Sequence, residues 1–117
     1  MSITLRFDET HIPIRVDLVD WLTAYGLDLT TRTDAIWLIK ASDLDADEEA
    51  LYTGTETGGG VVFSGTTALL YLLDFTLLTP GKHHQFAFGL KFPGDPRFRE
   101  IRLADNKIFI ERDFIRA

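Results

Sequence analysis

The chain has 117 residues, 45% hydrophobic and 26% charged, which fits one folded domain able to withdraw roughly two-thirds of its unfolded surface from water. It contains no cysteine, so a disulfide framework, a thiolate metal site and a cysteine nucleophile are all excluded. The net charge of −6 is uneven, with 12 acidic and 4 basic residues in positions 1–60 against 6 acidic and 8 basic in 61–117, a balance that disfavours general nucleic-acid binding and could orient head-to-tail contacts between copies.

Ile3, Leu5 and Phe7 alternate with Thr4 and Arg6, which predicts a first strand. The same N-terminal residues lack the basic start and apolar run of a signal peptide, so conventional export is not expected. A cleaner strand follows, with Ile12, Ile14, Val16 and Leu18 alternating with Pro13, Arg15 and Asp17. Tyr25-Gly26 reads as a turn, and Asp28 to Thr31 leads into Ala35 to Lys40, whose near-continuous apolarity predicts a strand covered on both faces.

The acidic connection Ser42 to Glu49 reads as loop. Short strands are predicted at 50–53 and 61–64, separated by Gly54 to Gly60, where three consecutive glycines mark a flexible turn. Ala68 to Leu73 fits a buried strand or a helix capped by Thr66 or Thr67, and strand is the reading taken. The longest apolar stretch, 68–78, is interrupted by Asp74 and Thr76 and falls short of the ~20 residues of a membrane span. A soluble chain is the expectation.

After the Thr79-Pro80-Gly81 turn, His84, Phe86, Phe88, Leu90 and Phe92 share one face of a long strand, and His83, Gln85, Ala87, Gly89 and Lys91 share the other. Pro93 to Pro96 reverses the chain into a strand at 97–103, and Ala104 to Lys107 reverses it again into one at 108–115. This rhythm predicts an all-β antiparallel sandwich of about seven to nine strands, as a single domain over residues 1–117.

Catalytic and metal patterns fail one by one. Asp43, Asp45 and Asp47 alternate as calcium ligands do, but an EF-hand loop needs glycine sixth and glutamate twelfth, where this chain has Glu48 and Gly54. His83 and His84 are adjacent on a strand and so project to opposite faces, unable to converge on one metal; His11 could join one of them, but no third ligand is indicated. Ser64 lacks the flanking glycines of a nucleophile elbow, and no Lys-Ser or Lys-Thr follows the glycine run as a phosphate-binding loop requires. No two carboxylates are singled out as a hydrolase pair. No catalytic residue, cofactor or metal is therefore expected. Trp21 and Phe98, near turns, are the aromatic side chains expected to be exposed as partner-interface anchors.

Taken in order, 25–30 before the strand 34–40, the glycine-led 59–63, then 73–81 followed by 86–90, and finally 108–116 resemble the small immunoglobulin-like proteins of tailed bacteriophages. The pattern is similar to the N-terminal domain of phage upper-baseplate proteins and covers roughly residues 10–116. It implies a single helical turn beginning at Asp74 and ended by Pro80-Gly81. The family often has a plain Asp-Gly turn between its last strands, whereas this chain has Pro93-Gly94-Asp95-Pro96.

The resemblance implies an immunoglobulin-like sandwich serving as a structural subunit of a virion, in tail, baseplate or fibre attachment. Its expected partners are other virion subunits, in several copies, with neither nucleic acid nor membrane, and its expected location is the virion assembled in the host cytoplasm. Three rivals stand beside it: a carbohydrate-binding module for host surface glycans, a capsid decoration protein and a carboxylate-dependent hydrolase.

Overall fold

The period-2 alternation read along the chain builds two sheets whose apolar faces meet. The computed structural model describes residues 2–6, 10–42, 45–101 and 107–111. Among these lie nine strands: β1 (Ser2–Arg6), β2 (Ile14–Asp17), β3 (Asp34–Lys40), β4 (Tyr52–Thr55), β5 (Val61–Ser64), β6 (Thr67–Leu70), β7 (His83–Lys91), β8 (Arg99–Ile101) and β9 (Lys107–Glu111). One α-helix, α1 (Val19–Tyr25), joins β2 to β3 by way of a 3-10 turn at Leu29–Thr31.

The larger sheet runs β1-β9-β7-β3-β4, with β8 also pairing β7, and the smaller runs β2-β6-β5. These are the two layers of an immunoglobulin-like sandwich, with β3, β7 and β9 as strands C, F and G facing β2, β6 and β5 as B, E and D. All described pairs are antiparallel except β1 with β9, which run parallel from Ser2↔Lys107 to Arg6↔Glu111. Side-chain alternation specifies which face a residue occupies but not the direction of its neighbour, so this pairing was not legible from the pattern. β9 takes the His83–Gln85 half of β7 and β8 takes Phe88–Leu90.

The inward faces interlock around Trp37, which is fully buried and sits opposite Phe88 in the β3–β7 register. Ala35, Ile39, Phe86, Leu90 and Phe92 extend that layer, while Val16, Val61, Ala68 and Leu70 supply the facing one. Each large apolar side chain removed from water contributes ~1.5–3 kcal/mol before ordering costs. The predicted face of β7 is observed in full, since His84, Phe86, Phe88, Leu90 and Phe92 are all buried.

Several elements differ from the sequence expectation, among them β8, which begins at Arg99 where a strand from 97 is predicted. Val19–Tyr25 is helical: the Asp17 carboxylate accepts from the Val19 amide at 3.0 Å, Leu18 and Leu22 put one apolar stripe inward, and Gly26 ends the helix at φ 63°. The strand expected over 68–73 stops at Leu70, because the Tyr52 hydroxyl donates to the Tyr71 carbonyl at 2.9 Å and accepts from the Leu73 amide at 3.3 Å, drawing the chain out of the ladder. β4 lies at 52–55 rather than 50–53, and Asp47–Glu49 makes one 3-10 turn within the acidic connection. A turn forms at Asp74, with the carboxylate accepting from the Thr76 amide at 2.9 Å and the Leu78 amide donating to the Phe75 carbonyl at 3.0 Å, but residues 74–81 contain no helical turn of the kind the resemblance implies; Gly81 follows at φ 83°.

Phe7, Asp43, Leu44, Arg102 to Asn106 and Arg112 to Arg116, on which parts of the strand, turn, calcium and resemblance readings fall, lie outside the described residues. No helix among the described residues is long and apolar enough to cross a membrane.

Candidate interface surfaces

Two surfaces stand out, one at the end of the sandwich capped by α1 and one along the edge at β4. On α1, Leu22 faces the core, which leaves Val19 and Tyr25 outward at 45% and 60% exposure. Trp21 is half-buried between them and the sandwich: its ring stacks on Phe92 with centroids 6.3 Å apart and meets Tyr25 at 5.1 Å. Trp21 thus anchors the helix and Tyr25 is the ring presented to solvent.

Phe98 is also half-buried, on the outer face of β7. A Cβ on Gly89 would lie 3.1 Å from the Phe98 Cβ, so glycine there makes room for the ring, and the Lys91 ammonium stands 5.1 Å from its centroid. No ring contact joins Trp21 to Phe98 among the described residues. The chain between them is held by Asp95, which accepts from the Phe92 amide at 3.1 Å and from Arg99 at 2.8 and 3.0 Å. The Arg99 guanidinium holds the Asp95 carboxyl below its ordinary value, and Asp95 in turn raises Arg99.

The neighbouring connection is fixed by Arg32. Its guanidinium makes a two-pronged pair with Glu56, donates to the Leu29 carbonyl at 3.1 Å and lies 3.9 Å above the centre of the Phe63 ring. One side chain therefore ties the segment after α1 to the β4–β5 turn and roofs β5.

Beside β4 a shallow groove of about 360 Å³ is lined by residues 50–55, Gly58, Gly60, Leu73 and Asp74. Gly54 and Gly60 have no freedom to carry side chains: a Cβ on Gly54 would fall 2.3 Å from the Trp37 indole nitrogen, and one on Gly60 would fall 2.7 Å from the Gly54 Cα. The Tyr52 hydroxyl forms part of the groove wall, and burial, with the nearby Asp74 carboxylate, pushes its ionisation upward against the opposing Leu73 amide.

Some of the groups considered for chemistry make structural contacts. Lys40 donates to the Asp45 carbonyl at 3.0 Å and the Asp47 carboxylate at 2.7 Å, so the acidic connection closes on an ammonium belonging to the chain itself. His83 is exposed against Phe109, with centroids 4.9 Å apart, while His84 is buried on the opposite face. His84 Nε2 accepts from the Thr79 amide at 3.4 Å, a link from the start of strand F back to the E–F connection where many immunoglobulin-like domains use a tyrosine. No group of three potential metal ligands converges among the described residues.

Fold and surfaces together define the class as an immunoglobulin-like β-sandwich without cysteine, its ends closed by a short helix and by turns. Compared with known proteins, the chain matches no family model, no curated protein and no solved structure.

The residues that sequence reading missed at these surfaces are Tyr25, Val19, Tyr52 and Asp74. A helical signal for the first two was present in Asp17, Leu18, Leu22 and Gly26, spaced as a cap, an inward stripe and a stop. Nothing local marked Tyr52, and Asp74 was marked only as the start of a turn; the two line one groove only after the sheets pack.

Proposed function

We propose that this chain is a structural subunit of a tailed-phage virion, in the tail, baseplate or fibre attachment, working through protein interfaces. The observation that carries the reading is the outward face of α1, where a helix closing the end of an immunoglobulin-like sandwich presents Val19 and Tyr25 to solvent over a Trp21 held in place by Phe92. Apolar and aromatic groups on a rigid support are the usual centre of a protein interface.

Two observations test it. Tail-tube, tape-measure or baseplate genes beside its own would support the reading, and a metabolic operon would overturn it. With virion proteins in hand, Val19→Ser combined with Tyr25→Ser should abolish co-assembly while leaving the thermal transition in place.

The exposed Tyr25 ring beside Trp21 gives the carbohydrate-binding reading its one support, since paired rings can stack on sugars. Glycan binding lost on Tyr25→Ala, with co-assembly intact, would make that reading the better one.

A further inference from the structure

We infer that the β4 edge is a second docking surface, which takes an extended, cationic segment of another protein as an added strand. The inference does not rest on the virion reading. β4 ends the larger sheet and β5 ends the smaller, so both sheets terminate on one flank of the sandwich. Natural edge strands are guarded by lysine, proline or inward charge. β4 reads Tyr-Thr-Gly-Thr and β5 reads Val-Val-Phe-Ser, with none of these. Val62 on β5 is itself exposed.

Gly54, Gly58 and Gly60 contribute only backbone to the groove wall, with the side-chain direction of Gly54 turned inward onto Trp37. An incoming strand could therefore approach the β4 backbone closely, and main-chain hydrogen bonds would supply affinity as they do in other strand additions.

Charge selects the occupant. Asp74 lines the groove, and the turn Asp47–Glu49 leads into its first lining residue, Ala50. Among the described residues, Asp47 is met by Lys40, whereas Asp74, Glu48 and Glu49 have no cationic partner. An extended segment carrying lysine or arginine at alternate positions would set its charges against these carboxylates while its backbone pairs with β4. A second copy of this chain is the less complementary occupant, because its own net charge is −6.

The test uses the whole protein and a short synthetic peptide of alternating lysine and valine, with a control peptide of equal charge interrupted by proline. Expected are saturable binding of the first peptide, slowed exchange of the β4 amides that point away from β3 with no change at those already paired to it, and little binding of the control. Thr53→Lys, at an exposed position, should weaken binding about tenfold by guarding the edge, roughly the loss of one good hydrogen-bonding interaction. Asp74→Asn provides a second variant that leaves the backbone alone and should weaken binding severalfold.

Equal binding of both peptides, or binding insensitive to both substitutions, would reduce the effect to general charge attraction and overturn the inference. So would self-association of the unmodified protein that Thr53→Lys removes, since the edge would then belong to a second copy. Failure here leaves the gene-neighbour test of the virion reading untouched.

Discussion

The indole nitrogen of Trp37 donates to the Gly60 carbonyl at 3.0 Å, passing across Gly54 to reach it. A residue at the centre of the core thereby fixes the β4–β5 turn; the indole leaves no room for a side chain at Gly54, and the Gly54 backbone with the Tyr52 hydroxyl leaves none at Gly60. Gly54→Ala should destabilise the fold by about 1–3 kcal/mol through overpacking. Urea unfolding followed by tryptophan fluorescence would measure it; a loss within error of zero would show that the indole moves aside freely.

Arg32 joins Glu56, the Leu29 carbonyl and the Phe63 ring in one geometry that only a guanidinium satisfies. Arg32→Lys should cost about 1 kcal/mol, and Glu56→Gln less, because the contacts to Leu29 and Phe63 survive it. Equal losses in both variants would mean the ion pair alone carries the effect.

The two rings of α1 separate packing from recognition. Trp21→Ala should lower stability by removing the stack on Phe92, whereas Tyr25→Ala should leave the melting temperature nearly unchanged. Differential scanning calorimetry of the two variants checks the contrast, and a large loss for Tyr25→Ala would place its ring in the structural core of this end instead.

Burial pushes the His84 imidazole below its ordinary 6.5, with the positive charges of His83 and Lys82 acting the same way and the Lys82 backbone opposing. Its Nδ1 has no hydrogen-bond partner among the described residues. The unfolded chain therefore binds a proton more readily than the folded one. Stability is full above pH 6.5 and is lost as pH falls through that value toward the folded pKa. Replacing His84 with Phe should flatten the stability profile between pH 7 and 5. A slope that persists in the variant would assign the effect elsewhere.

A second acid limb belongs to Asp28, Asp74 and Asp95. Hydrogen bonds from Thr30, Thr76 and Arg99 respectively lower each below the ordinary 3.8. Their contribution is present above that value and is lost as pH falls through the folded values. Asp74→Asn should reduce the stability loss between pH 4 and 2, read from denaturant midpoints at each pH.

The amino-acid sequence by itself determined the strands with clear alternation, above all β7 with its inward His84-to-Phe92 face. In each, a local pattern already states which side chains must leave water. Catalytic patterns could be tested in the same way, because motifs are defined by spacing along the chain. Helix α1 was not predicted: its cap, stripe and glycine stop are present in the sequence, but its seven residues make only about two turns and were obscured by the strand pattern before them.

Only the tertiary structure decided the parallel pairing of β1 with β9, the end of β6 at Leu70 and the groove at β4. Each depends on groups far apart in sequence: Tyr52 reaching Tyr71, or Trp37 reaching Gly60 across Gly54. Periodicity records whether a side chain is buried and cannot record against what. Trp21 illustrates the difference: read as an exposed anchor, it is half-buried on Phe92 because α1 folds over the end of the sandwich, and that packing passes the exposed position to Tyr25.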